Sequence, residues 1–413
     1  MDVELSQSHK ALPASAALEV AVLLKVTPGG AGGATTTSVH AGWCLDTSGS
    51  MAAQSGVSTL SKLDALKAAT QAALGVLERH GAMVTVSAFS DREQALCRRE
   101  PLGAGGSRAV CGAVEALQCG GGTEARLALA PVLDALKPAD HAARRLILVT
   151  DGQFNNSSIK PGRTLARAAG EAGIAVWAFA TGVTYDEPYL RELVGLGAAG
   201  GLFHHIQSLT ALGHVLEEEF NALAGSAGQA LDVTLHPANG VTLLEVLRLV
   251  PTQVVVATGA DGALREHLDV VDARGQAWVV RVRLDGKGAG QHALFHGTLR
   301  WREGEQPRSH TLEPVLEVLP PGAAVGAPNA AVASTVLMAH AAQATVMGNA
   351  ALATHLYAAA GQTDLAQKLQ ALGTALPQGS DVARALRTQA LGSTRLVALG
   401  SANVGNPVKG GTP

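Results

Sequence analysis

The sequence has no surplus of either charge: 31 Lys and Arg stand against 34 Asp and Glu over 413 residues, a formal net charge of −3. A nucleic-acid binder needs a concentrated basic face, and this balance argues against one. Aromatic residues make up only 3%, too few for recognition of bases or sugars by stacking. The four cysteines, Cys44, Cys97, Cys111 and Cys119, form neither a CxxC pair nor a zinc-ligand spacing. They are read as reduced thiols of a cytoplasmic protein; Cys111 and Cys119 would pair only in an oxidising compartment. No run approaches the ~18 uninterrupted apolar residues of a membrane span. The nearest, 331–360, is broken by Ser334, His340, Gln343, Asn349 and His355. The start, Met1-Asp2-Val3-Glu4-Leu5, carries acids where an export signal needs basic residues and then an apolar stretch. No membrane partner is expected. Gly 48 and Pro 17 together fall short of the ~25–30% of low-complexity chains. A 47% hydrophobic share with 16% charged residues excludes wholesale disorder.

What is present is a chain long enough for two or three domains. From 38 to 224, short apolar runs alternate with amphipathic helical patterns, which predicts a doubly wound, mostly parallel α/β sheet. Val39 to Leu45, Met83 to Phe89, Arg145 to Val149, Ile174 to Thr181 and Leu202 to Ile206 read as strands. Leu60 to Arg79, Ser107 to Leu117, Ala125 to Leu136, Arg163 to Ala172, Glu187 to Leu196 and Ser208 to Leu223 read as helices. In the first, Leu63, Leu66, Ala69, Ala73 and Leu77 form one stripe. Residues 225–319 change to period-two alternation, as in Leu231 to Leu235, Val280 to Leu284 and Phe295 to Arg302, which predicts an antiparallel β-sandwich. The strand-like run Leu18 to Val26 lies within 1–37, ahead of the α/β unit. It is easiest to place by pairing with the strands after Gly225, making the α/β unit an insertion in the sandwich. Residues 320–399 are helical and Ala-rich in about four segments, broken at Gly361, Gly373, Pro377 and Gly379. They are expected to cap the sandwich, or to offer a second docking surface. The tail 400–413 is expected to be disordered.

The chemistry concentrates in Asp46-Thr47-Ser48-Gly49-Ser50, at the end of the first buried strand. One carboxylate and two hydroxyls at alternate positions can converge on a hard cation when the chain turns at Gly49. Magnesium takes near-octahedral oxygen ligation, keeps waters and accepts few carboxylates. The plainer alternative is a loop whose Asp and Ser cap helix N-termini. Gly120-Gly121-Gly122-Thr123 precedes a helix, and Thr150-Asp151-Gly152 ends another buried strand. In a parallel sheet all strand C-termini lie at one edge, where ligands bind. Asp46, Ser48, Ser50, Thr123 and Asp151 can therefore meet from three loops. A phosphotransferase with Asp46 as nucleophile needs a second acid two residues on, and that position is Ser48. Gly103-Ala104-Gly105-Gly106-Ser107 lacks the Lys-Ser or Lys-Thr of a phosphate-cradling loop. His204-His205 reads as a strand end, Glu217 to Glu219 as a solvated helix face, and Cys44 as a small buried hydrophobe. The segments Gln54 to Ser58, Asp91 to Glu93 and Gln153 to Lys160 flank the cluster and are expected to contact a partner.

This order, DxSxS then Thr then Asp, resembles the von Willebrand factor type A (VWA) domain and its metal-ion-dependent adhesion site. Trp43 to Met51, Lys62-Leu63, the Phe89 strand end, Gly121 to Thr123, Leu148 to Gly152 and Gly182 to Leu190 look like the bacterial branch. The likeness covers about 15–318, and in that branch a β-sandwich often encloses the domain. The resemblance implies that Ser48, Ser50 and Thr123 bind Mg²⁺ or Mn²⁺ directly, Ca²⁺ being a poorer fit, and that Asp46 and Asp151 act through water. It implies an open coordination position filled by a Glu or Asp of a partner protein, and recognition without catalysis. It also implies intracellular partners such as an AAA-type ATPase or a stress-response complex, with a secreted or surface adhesin as the alternative. The helix from Ser208 to Leu223 is the element whose displacement would report a switch between states.

Overall fold

The computed structural model describes residues 1–28, 37–54, 60–103, 105–152, 154–181, 185–198, 200–206, 209–224, 228–250, 253–271, 274–303 and 306–371. The chain opens with β1 (Asp2–Gln7), β2 (Ala11–Pro13) and β3 (Ala17–Thr27). An α/β unit follows: β4 (Val39–Asp46), a short 3₁₀ turn Gly49–Ala52, α1 (Lys62–Arg79), β5 (Met83–Phe89), β6 (Glu93–Pro101), α2 (Ser107–Glu115), α3 (Arg126–Leu136), β7 (Ala143–Thr150), α4 (Asn156–Glu171), β8 (Ala175–Ala180), α5 (Glu187–Leu196), β9 (Leu202–His205) and α6 (Leu209–Ala224). Then come β10 (Gly228–Pro237), β11 (Val241–Arg248), β12 (Val254–Val255), β13 (Leu264–Val271), β14 (Gln276–Asp285), β15 (Gly290–Ala293), β16 (Phe295–Glu303), β17 (Gln306–Leu312) and β18 (Val315–Leu319). Three helices close the described chain, α7 (Ala330–Val346), α8 (Ala350–Ala359) and α9 (Thr363–Ala371).

The α/β sheet has the order β6-β5-β4-β7-β8-β9, with every strand parallel except β6, which runs antiparallel to β5. Starting from β4, the chain builds outward to one edge, returns, and builds outward to the other. The strand order therefore reverses between β4 and β7, the crevice where doubly wound folds bind ligands. Helices α1, α2 and α6 cover one face through Leu66, Leu74, Val114 and Phe220 against Trp43 and Val86. Helices α3, α4 and α5 cover the other through Leu133, Ala169 and Leu190 against Leu146 and Leu148. Strand β4 is buried throughout. Its Cys44 sits in the α3 face and burial holds the thiol well above the usual range. Gly42 shows why this strand needs a residue without a side chain: a Cβ there would lie 2.5 Å from Val132 Cγ1 and 2.8 Å from Leu136 Cδ1. Any larger residue would lift α3 from the sheet.

The fold class expected from the sequence is the one found, and the differences are local. Strand β6 was not foreseen, because an edge strand exposed on both sides shows no apolar period. Helix α4 begins at Asn156 instead of Arg163, so Pro161 and Gly162 lie inside it and do not mark a break. The residues expected as a partner loop there form its first turns.

Around the α/β unit, β1-β3-β14-β11-β12 form one sheet, β13-β10-β16-β17 a second and β15-β18-β2 a third. Strand β14 pairs with β3 along its whole length, from Gln276↔Val26 to Asp285↔Ala17, so the strands before and after the α/β unit share a sheet. The period of two then divides β3. Val20, Val22, Leu24 and Val26 enter the sandwich core with Val233, Leu235 and Leu299. Ala21 and Leu23 face the opposite way, onto Val332 and Ala339 of α7. Helix α7 starts cleanly because the Asn329 side chain accepts from the backbone N–H groups of Ala331 and Val332. It packs in turn with α8 and α9 through Met338, Ala342, Ala353, Tyr357 and Leu369. The fourth helical segment and the tail 400–413 lie outside the described residues. Among those described, no helix is long and apolar enough to cross a membrane.

One buried group gives the fold a pH dependence. His40 is fully buried on β4, with Nε2 3.0 Å from Thr85 Oγ1. Burial, assisted by His141, Arg99 and Arg144, lowers its pKa to about 4. A histidine depressed in the folded state contributes stability above its unfolded value, and that contribution disappears as pH falls toward the folded value. From pH 7 to about 5, wild type is expected to lose about 2 kcal/mol more than His40→Gln. Urea midpoints at the two pH values check this; parallel losses would remove His40 as the cause.

Candidate metal centre

The cluster is assembled by backbone bonds before any side chain acts. Thr47 N–H donates to Phe89 O at 2.8 Å, which seats the turn after β4 beside the end of β5. Gly49 N–H donates to Gly121 O at 3.0 Å, and Gly120 N–H to Thr47 O at 2.9 Å, joining that turn to the glycine loop. Glu124 N–H reaches Ser90 O at 2.9 Å. Gly121 has φ +75, and a Cβ on it would lie 2.5 Å from Asp91 Oδ1, so this close approach requires glycine. Three loops thus form one rigid floor at the β4/β7 crevice.

On that floor the five expected residues lie at the same sheet edge. Asp46, Ser48, Thr123 and Asp151 are buried and Ser50 is half-buried. Asp46 Oδ1 accepts from Ser48 N–H at 2.8 Å, and the Ser48 and Ser50 hydroxyls are 3.1 Å apart. Asp46 Oδ2 accepts from the Thr150 hydroxyl at 2.5 Å. Thr150 Oγ1 in turn accepts from Gly152 N–H at 2.9 Å, turning the chain at Asp151. Thr123 enters through the glycine loop, and its carbonyl accepts from Asn155 N–H at 3.4 Å.

Sequence reasoning missed three contributors. In the sequence Thr150 reads only as a strand end, yet the β4/β7 register, with Leu45 opposite Val149, sets Asp46 beside it. Aligning the two strand ends would have found it. Glu124 accepts from Asn155 Nδ2, Ser157 Oγ and Ser158 Oγ at 3.0, 2.8 and 2.7 Å, and these bonds hold its carboxyl below the usual range. They tie Thr123's neighbour to the start of α4, with Asn155 itself exposed at the surface. Lys62, the first residue of α1, reaches Asp151 Oδ2 at 2.8 Å, with side-chain exposures of 8% and 1%. Its partner lies just past the end of β7, a contact no local spacing reveals. Of the flanking segments expected to meet a partner, 55–58 and residue 153 lie outside the described residues. Asp91 accepts from Ser90 Oγ at 3.1 Å and Glu93 from Ser87 Oγ at 3.1 Å.

The donor set is all oxygen, two carboxylates and three hydroxyls, the chemistry preferred by a small hard cation. Two strains in the site point the same way. Asp151 Oδ1 is buried with no hydrogen-bond partner among the described residues, a costly state for a carboxylate. Burial pushes Asp46 up to about 6, against the lowering bonds from Ser48 and Thr150, and the Asp151 charge adds to the rise. A cation between these carboxylates would relieve both, so the residues present fit a divalent metal.

Residues 43–153 match the model of the von Willebrand factor type A domain. The six-stranded unit has the von Willebrand factor type A fold. Two solved structures extend the likeness over most of the chain. One is a von Willebrand factor type A protein from Catenulispora acidiphila, with TM-score 0.70, 18% identity and 89% of each chain covered. The other is the ArnB paralog VWA2 from Sulfolobus acidocaldarius, with TM-score 0.57, 15% identity, and coverage of 95% of this chain and 97% of that one. At such identities the likeness is one of fold. No curated protein matches the chain. The match to the VWA model spans the turn after β4, the glycine loop and the end of β7, the three segments that carry Asp46, Ser48, Ser50, Thr123 and Asp151.

Proposed function

We propose that this chain is a metal-dependent protein-binding module. Ser48, Ser50 and Thr123 hold Mg²⁺ or Mn²⁺ directly, Asp46 and Asp151 act through water, and a partner protein adds an acidic side chain to the ion. The observation that supports this most is the pairing of a hydroxyl-rich oxygen cluster with a buried carboxylate oxygen left without a partner among the described residues. Neutral ligands leave the ion electrophilic, so it favours a Glu or Asp from outside. VWA domains are generally interaction modules and not enzymes, and the proposal assigns no turnover here. It places the module in the cytoplasm, with an AAA-type ATPase or a stress-response complex as the partner classes suggested by the bacterial resemblance.

The test is affinity capture from a lysate of the source organism, with Mg²⁺ in one arm and EDTA in the other, read by mass spectrometry. A protein captured with Mg²⁺ and lost with EDTA is the expected outcome. Identical captures in both arms would sink the proposal.

A further inference from the structure

Lys62 is an expensive residue where it stands. It is the first residue of α1, the positive end of the helix dipole, and its side chain is 8% exposed. Burial and the dipole both disfavour a cation there. Its position is fixed all the same: Ser61 caps the helix by accepting from Asp64 N–H at 3.1 Å, and Lys62 N–H donates to Ala53 O at 2.9 Å. The ammonium lies against one oxygen of Asp151 and leaves the other without a partner among the described residues. The lysine therefore neutralises only part of the buried acid.

We infer that Lys62 sets the charge of the metal centre, lowering its affinity for the cation and keeping the loaded site attractive to a carboxylate. The inference rests on the metal-binding proposal above and deepens it. The arithmetic is simple. Asp46, Asp151 and Lys62 sum to one negative charge. A divalent cation turns that to one positive charge, which an incoming Glu or Asp then cancels. Without the lysine the centre would begin with two negative charges, hold a divalent ion more tightly, and be neutral once loaded. The metal would be gained and the reason for a carboxylate to approach would be reduced. Lys62 is thus a positioning and specificity-determining residue, acting through Asp151 and the field at the ion.

The test uses the full chain as wild type, Lys62→Gln and Lys62→Arg. Titration calorimetry reads Mg²⁺ alone, then acetate as a carboxylate probe on the Mg²⁺-loaded proteins. Lys62→Gln is expected to bind Mg²⁺ at least about tenfold tighter than wild type and acetate at least about tenfold weaker. Lys62→Arg, which keeps the charge, should stay within about threefold of wild type for Mg²⁺. A merely structural lysine would give the reverse sign, weaker metal binding on its removal. Mg²⁺ binding by wild type with no tightening in Lys62→Gln overturns the inference and leaves the metal proposal standing. No Mg²⁺ binding by wild type overturns both. If Lys62→Gln folds only with Mg²⁺ present, its thermal midpoint must rise more with Mg²⁺ than that of wild type. If it folds at no Mg²⁺ concentration, the lysine is structural and the inference falls.

Discussion

Thr123→Val is expected to lose Mg²⁺ affinity by about 100-fold while its metal-free unfolding free energy stays within about 1 kcal/mol of wild type. The two side chains have nearly the same shape, so the buried position beside the glycine loop remains filled. The backbone around it also stays, because Asn155 N–H bonds to the Thr123 carbonyl and Glu124 N–H to Ser90 O. What leaves is one oxygen of the donor set. Groups that merely orient a metal ligand are worth roughly 10–100-fold in affinity, and a direct ligand is worth no less. Calorimetry with Mg²⁺ gives the affinity, and urea unfolding in EDTA gives the stability. The same variant should fail to capture the partner that wild type captures with Mg²⁺. Wild-type affinity in Thr123→Val would take the hydroxyl out of the site and reduce the proposed ligand set.

The site was legible to the extent that its residues sit at the ends of strands buried on both faces. Such strands are continuous apolar runs, so the end of Val39 to Leu45 announces where Asp46 must emerge. The same logic located Asp151 after Leu146 to Val149. Parallel pairing then did the rest, since it sends both ends to one edge. Where an element is exposed, the signal fades. Strand β17 is exposed along almost all of Gln306–Leu312 and shows no alternation, and β6 is similar. Helix α4 was misjudged because Pro161 and Gly162 weigh against a helix locally, while Ser158, Ala166 and Ala169 are buried by its packing. Tertiary burial overrides that local penalty.

Lys62 illustrates a different limit. Its identity was plain, yet its role depends on α1 starting where Ser61 caps it and on β7 ending where Thr150 turns the chain. The pair is separated by 89 positions in sequence. Charge arithmetic at the centre therefore belongs to the fold and not to the motif. Five motif residues alone would describe a more acidic site than the one that forms.

Arg145→Met is expected to destabilise the protein by about 3–5 kcal/mol. Arg145 lies in β7 of the α/β unit, and its Nη1 is 2.5 Å from Asp269 Oδ2 on β13 of the sandwich. Side-chain exposures of 2% and 8% mean that neither charge has water to turn to. The guanidinium also donates to the Arg144 carbonyl at 3.0 Å and stands 5.7 Å from the centre of the Trp177 ring. Removing the arginine would leave a buried carboxylate without its cation, which is why the cost exceeds that of an exposed pair. Asp269→Leu should cost a similar amount for the mirrored reason. The double variant Arg145→Met/Asp269→Leu should recover much of the loss, since apolar groups of similar volume need no partner. Urea unfolding of the four proteins completes the cycle. Additive losses would mean that the two side chains act independently, and a loss below about 1 kcal/mol for Arg145→Met would show that solvent reaches the junction. A second pair, Arg274 to Glu219 of α6 at 2.7 Å, joins the same two units, so Glu219 is buried there and does not share the solvated helix face expected for Glu217 to Glu219. Two directional ion pairs constrain the orientation of the α/β unit on the sandwich more tightly than apolar contact alone, because each is worth its full energy only in one geometry.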